Sequence, residues 1–195
     1  MPSARPVFVV TGPSGAGKGT LIKGLLDRVG GIEIAVSATT RPRRPGEDDG
    51  REYRFLSDSE FTRAIEEGEF LEWVTYVSGR RYGTLRSELD RIMDEGRVCV
   101  LELELEGALR VQDQVARSVT IFIVADVPEL ERRLRERATE STGEIGGRIA
   151  LARNQLEQAH LFRYMVRNDD VERATTAVAA IVECELAFAG TMSRP

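Results

Sequence analysis

GPSGAGKGT, residues 12–20, places Lys18 directly after the second glycine of a G-x-x-x-x-G-K spacing. That pattern suits a phosphate chain. Glycines let the main chain wrap closely round phosphate oxygens, amides at a following helix start point inward, and the ammonium neutralises charge at the β and γ positions. Gly12, Pro13, Ser14, Gly15, Ala16, Gly17, Lys18, Gly19 and Thr20 therefore read as a P-loop for a nucleoside triphosphate. Gly19 stands where Ser or Thr is usual, so a hydroxyl for phosphate or Mg2+ has to come from Thr20, with the ion otherwise held through water. Further along, Arg41, Arg44 and Tyr53 flank a glycine-bearing excursion. Two guanidinium forks and a phenol suit a doubly charged phosphate, although a solvated loop can be equally arginine-rich. Glu102 and Glu104 sit two apart, which on a strand puts both carboxylates on one face.

These groups need elements to position them. From residue 6 to residue 124 short apolar runs alternate with helical patterns, the arrangement of βαβ units and a parallel sheet. Residues 6–11 read as a buried strand feeding the glycine loop, and a helix from about Thr20 carries Leu21, Leu25 and Leu26 on one face. Residues 32–37 read as a second strand, after which ATTRPRRPGEDDGREYRF breaks the register. Ser57 and Glu60 have capping-box spacing, so a helix to about Gly68 is expected. Strands follow over 70–77, 98–105 and 120–125, with a helix over 85–95. Beyond Pro128 come an arginine-rich helix, a glycine-containing loop, a second helix to about His160, and a last helix over 170–189.

Composition narrows the classes. The 195 residues are 42% hydrophobic and 30% charged, with no run approaching the ~18 to 20 apolar residues of a membrane span and no signal-peptide architecture at the start. A soluble cytoplasmic protein with no membrane partner is expected. Cys99, Cys184 and the single histidine, His160, cannot form a Cys/His zinc cage. A net charge of −5 opposes broad nucleic-acid binding, so anion binding must be local.

At this point the chain resembles the guanylate kinase family. VSATTRPRRPGEDDGREYRF looks like that family's substrate-binding stretch and FLEWVTYVSGRRYGT its second substrate segment. VLELELEGA is similar to its central strand and turn, LERRLRERAT to its lid, and YMVRNDD to its late strand, together covering residues 8 to about 187. The resemblance implies one α/β domain over 1–195, with a three-layer P-loop NTPase core and parallel sheet (about 1–36, 98–137 and 148–190), a GMP-binding insertion (about 37–97) and a lid (about 138–147). It implies ATP-dependent phosphorylation of GMP, and of dGMP, to GDP, with Mg2+ accompanying ATP.

The same resemblance implies site roles. Ser37, Glu72, Thr84 and Glu104 contact guanine, Arg41, Arg44, Tyr53 and Tyr82 hold the GMP phosphate, Gly83 lies between two of them, and Glu102 serves guanine or magnesium. Guanine presents two N–H donors beside an O6 acceptor, which a carboxylate and a hydroxyl match; adenine reverses that edge. Lys18, Arg133, Arg137 and Arg148 surround the transferring phosphoryl group, with Gly143, Gly146 and Gly147 as flexible points of the lid. Asn168 falls near the adenine, or caps a helix. Glu102 and Glu104 replace aspartates usual in the family, and Glu106, Ala138 and Gly147 also depart from its pattern. A kinase of another phosphorylated acceptor, or an inactive interaction module, are the competing readings. Lys18→Ala is expected to lose several kcal/mol of transition-state stabilisation while GMP binding stays nearly intact. Unchanged turnover in steady-state assays would remove Lys18 from the chemistry.

Overall fold

The computed structural model describes residues 5–76, 78–137 and 142–191. In chain order the elements are β1 (Val7–Thr11), α1 (Lys18–Arg28), β2 (Ile32–Ile34), β3 (Ala38–Thr39), β4 (Arg54–Phe55), α2 (Asp58–Glu66), β5 (Phe70–Thr75), β6 (Arg81–Leu85) and α3 (Arg86–Asp94). They continue with β7 (Val98–Glu102), α4 (Leu105–Gln114), β8 (Ser118–Val124), α5 (Val127–Arg137), α6 (Thr142–Glu157), a 3-10 turn at Ala159–Leu161, β9 (Tyr164–Arg167) and α7 (Val171–Thr191).

The core sheet has order β2-β7-β1-β8-β9, with all its pairings parallel. Alternation along the strands explains why it is covered on both sides. Phe8, Val10, Val100, Ile121 and Ile123 face Leu21, Leu25, Val178 and Val182 of α1 and α7. Val7, Val9, Cys99, Leu101 and Phe122 face Ile92, Ala108 and Val111 of α3 and α4. Among the described residues no helix is long and apolar enough to cross a membrane.

A second, four-stranded sheet of order β4-β3-β6-β5 forms a lobe, with its own apolar cluster of Ala38, Phe61, Ala64, Phe70 and Leu85. Phe61 and Phe70 stack at 4.3 Å between ring centroids. The expected capping box starts α2: Ser57 Oγ accepts from the Glu60 amide at 3.2 Å and Glu60 Oε2 accepts from the Ser57 amide at 2.7 Å.

Several boundaries differ from the sequence reading. The run 32–37 is not one strand, because Ala35 still donates to Val100 O at 2.9 Å while Ser37 O already accepts from Arg54 of the lobe, also at 2.9 Å. The chain therefore changes sheets within three residues. β7 stops at Glu102; Leu103 makes a last bond to Val10 O at 3.1 Å, and Glu104 then becomes the N-cap residue of α4. Glu102 and Glu104 consequently do not share a strand face. Helix α4 was absent from the sequence reading, although Leu105, Ala108 and Val111 recur on one side. α3, grouped with the insertion by resemblance, buries Ile92 against the core sheet. Gly143, Gly146 and Gly147 lie within α6 rather than in a loop, while residues 138–141 of the expected lid fall outside the described residues.

The crossing between sheets is pinned by a buried carboxylate. Glu88 of α3 accepts from the Val36 amide at 3.1 Å and from Arg91 Nη2 at 2.9 Å, and Arg91 also reaches Glu33 at 2.6 Å. Arg91 holds the Glu88 carboxyl below its ordinary range against the opposing effect of burial. Glu88→Ala leaves the Val36 amide without its acceptor, so a loss of about 1 to 3 kcal/mol in chemical denaturation is expected at neutral pH. A depressed carboxylate stabilises the fold above its unfolded pKa, so that difference should shrink as pH falls through the Glu88 titration.

Candidate active site

The carboxyl ends of β1 and β7 open into a cleft of about 460 Å3. This is where parallel α/β sheets bind ligands, because loops there leave the strand ends uncovered. Ser14, Gly15, Gly17, Lys18, Gly19 and Thr20 line one side; Ser37, Tyr53, Glu72, Tyr82, Gly83, Glu102 and Glu104 line the rest.

Main-chain geometry builds the P-loop side. Gly17, the N-cap of α1, has φ 88° and ψ 21°, a left-handed conformation that side chains resist. A Cβ there would also stand 2.4 Å from Asn168 Nδ2. The Asn168 amide side chain donates to Ala16 O at 2.7 Å, and its main-chain amide to Val124 O at 2.7 Å. Asn168 thus braces the loop from the end of β9, and its Oδ1 is buried with no partner among the described residues.

Lys18 is only 8% exposed, and its ammonium donates to Gly12 O at 2.7 Å and Pro13 O at 3.4 Å. An ammonium has three donors, so one remains beside the cleft. Arg133 reaches the same loop, with Nη1 donating to Gly15 O at 3.3 Å and Nε to Glu129 at 2.7 Å. The side chains of Arg137 and Arg148 lie outside the described residues.

Glu102 closes the end of β7 near the P-loop, where a Cβ on Gly19 would lie 3.7 Å from its Oε2. Desolvation by the cleft walls raises its pKa, Lys18 pulls it back, and Glu104 raises it further. Glu102 therefore belongs to the phosphate end. Glu104, displaced onto the α4 cap, instead lies beside the Tyr76 phenol, which is pushed upward by burial and by that carboxylate. Tyr76 packs edge-on against Tyr82 at 4.8 Å, and Tyr82 against Tyr53 at 6.0 Å.

At the opposite end Glu72 is 5% exposed and accepts from Thr84 Oγ1 at 3.0 Å across the β5–β6 pair. Room for the carboxylate comes from Gly107 of α4: a Cβ at that position would stand 2.4 Å from Glu72 Oε2. The sequence reading missed Gly107 and Tyr76. The glycine was hidden in a segment read as a turn, and nothing local to Tyr76 shows that Glu104 arrives beside it. Trp73, on the strand face opposite Glu72, packs against the lobe cluster, with Arg110 Cζ 5.8 Å from its ring. His160 lies on the exposed 3-10 turn, with Nδ1 2.8 Å from Glu157 O, away from the cleft.

Arg41 and Arg44 are not among the cleft-lining residues. Arg44 is exposed, whereas Arg41 is tied by both terminal nitrogens to Glu47 and lies 5.2 Å above the Tyr53 ring. The site thus juxtaposes a phosphate-wrapping loop with a buried carboxylate and hydroxyl that can read a donor–donor–acceptor edge.

Comparison with known proteins agrees with this geometry. The profile described as guanylate kinase matches residues 3–185. A guanylate kinase of Caldanaerobacter subterraneus subsp. tengcongensis is 42% identical over 180 residues, 92% of this chain and 87% of that protein. One of Rubrobacter xylanophilus is 45% identical over 177 residues, 90% and 92% of the two chains. The crystal structure of guanylate kinase from Anaplasma phagocytophilum superposes with a TM-score of 0.76 at 27% identity, covering 94% of this chain and 87% of that one.

Burial pushes the Glu72 carboxyl up to about 7, against the Thr84 hydrogen bonds that lower it. A carboxyl raised on folding contributes stability that is complete below its unfolded pKa and is lost as pH rises through the folded value. Glu72→Gln should therefore gain up to about 3 kcal/mol on wild type between pH ~4 and pH ~8. Thermal melts across that range check the sign; parallel curves would show that Glu72 is not desolvated.

Proposed function

The chain belongs to the guanylate kinase family, and from that premise we propose that it transfers the terminal phosphoryl group of ATP to GMP, and to dGMP, forming ADP and the nucleoside diphosphate. The observation that carries the reading is one cleft holding Lys18 on the P-loop at one end and the buried Glu72–Thr84 pair at the other. It fits a cytoplasmic role in recycling purine nucleotides.

In this mechanism the glycine-loop amides and the remaining Lys18 donor hold the β and γ phosphates. The Glu72 carboxylate takes the two guanine N–H donors, held by the Thr84 hydroxyl that donates to it, and the Ser37 hydroxyl in the same cleft can donate to O6. Ionisation of Glu72 is required for this, and replacing its water with two N–H donors favours the charged form. Tyr53, Tyr82, Arg41 and Arg44 hold the acceptor phosphate. One of its anionic oxygens is already the nucleophile, so no general base is needed. Arg133 already touches the P-loop, and Arg137 and Arg148 complete the positive shell when water is excluded.

Hard oxygen donors near the loop, the exposed Thr20 hydroxyl and the Glu102 carboxylate, fit Mg2+ retaining much of its water. Bound with ATP, that ion would supply charge neutralisation of the transferring phosphate.

Coupled ADP-release assays with GMP, dGMP, AMP, UMP and ribose phosphates test the assignment. Turnover with the guanine nucleotides is expected, with AMP disfavoured by roughly 10⁴-fold or more, because adenine leaves buried polar groups unpaired. Glu72→Gln should narrow that ratio. No ADP with GMP, or equal use of AMP, would overturn the reading.

A further inference from the structure

Arg41 is held in an unusually complete way for a loop arginine. Nη1 donates to Glu47 Oε2 at 3.0 Å and Nη2 to Glu47 Oε1 at 2.7 Å, while Nη1 also donates to Pro42 O at 2.8 Å. Glu47 Oε2 further accepts from the Arg44 amide at 2.8 Å, so one carboxylate organises both arginines of the segment. The Arg41 and Glu47 side chains are only 12% and 18% exposed. The flat face of the guanidinium is covered too, with Cζ 5.2 Å from the Tyr53 ring and 5.5 Å from the Phe55 ring.

A guanidinium carries five N–H donors in a rigid plane. Three are committed here, all on the terminal nitrogens. The other two, on Nε and Nη2, run parallel along one edge and form a second fork with no acceptor among the described residues. Such a fork matches two oxygens of a phosphomonoester.

We propose that Glu47 is a positioning residue for the acceptor phosphate: it clamps the end of the Arg41 guanidinium beside Tyr53 so that the Nε–Nη2 edge stays open to the phosphate of the bound nucleotide. The proposal rests on the reading of GMP as acceptor. The Arg41 guanidinium and the Arg44 amide hold the Glu47 carboxyl below its ordinary range, so the clamp stays charged wherever the acceptor is a dianion.

Charge alone argues the opposite outcome. Neutralising Glu47 adds one positive charge to the segment and would tighten phosphate binding, whereas losing a preorganised fork weakens it. The two effects have opposite signs, which makes the test decisive. Glu47→Gln and Glu47→Ala are compared with wild type by steady-state kinetics and by calorimetric titration with GMP and with guanosine, which lacks the phosphate. Both variants are expected to raise the KM and Kd for GMP about tenfold, while the KM for ATP and the affinity for guanosine stay within about twofold. GMP affinity that is unchanged or tighter overturns the proposal, as does an equal loss of guanosine binding, which would mark general damage to the lobe. Wild-type protein that fails to phosphorylate GMP would sink the functional reading instead, whereas an active wild type with indifferent variants sinks only the role of Glu47.

Discussion

The glycine loop at the end of a buried strand has to keep its main-chain amides bare and tightly wound in a protein that carries a net charge of −5. Much of the rest of the core follows from that constraint. The amides can converge only if the loop is bare and tightly wound, and such a loop holds its shape only when neighbours press on it. Ile123 of β8 presses on Gly12, where a Cβ would meet its carbonyl at 2.4 Å, and Asn168 at the end of β9 presses on Gly17. Strands remote in sequence therefore set the curvature of a nine-residue motif. Central placement of β1, between β7 and β8, brings those neighbours and Glu102 to the same edge of the sheet.

The acceptor end follows a different logic. It is a hollow between two sheets, closed by α4 and roofed by tyrosines, and in the proposed function its discrimination would come from burying a carboxylate. The cost of that burial shows in the raised pKa of Glu72, and the structure offsets part of it with the Thr84 hydroxyl. Elsewhere several acidic residues are matched to arginines, as with Glu33 and Glu88 around Arg91 and Glu47 on Arg41. Those pairs keep the crossing between sheets and the arginine loop in defined shapes. Inside the cleft Lys18 stands with Glu102 at the phosphate end, and Glu72 lies at the other.

Much of this was legible in residue order. The P-loop was readable because its mechanism uses consecutive residues, the capping box of α2 because it spans a single turn, and the parallel sheet because its strands are apolar on both faces. The residues proposed for the acceptor site were named chiefly through family resemblance, since they come from separate segments. Errors arose where local pattern and packing conflict. LELEL alternates like a strand, yet the chain turns where β7 ends level with the end of β1, so only its first part pairs and Leu105 begins a helix. The lid glycines read as a flexible loop, but they lie within α6.

Sequence by itself determined the chemistry available: a glycine loop with its lysine, a segment rich in arginine with nearby tyrosines, and carboxylates and hydroxyls on the stretches around them. Each is a property of residue type, and for the glycine loop of short spacing as well, which the chain carries whether folded or not. Tertiary structure decided which of these groups meet and in what state. It separated Glu102 from Glu104, lodged Glu72 against Gly107, and tied Arg41 to Glu47. Those outcomes depend on distances between segments tens of residues apart, and on the loss of water around them, which only the packed sheets and helices can impose.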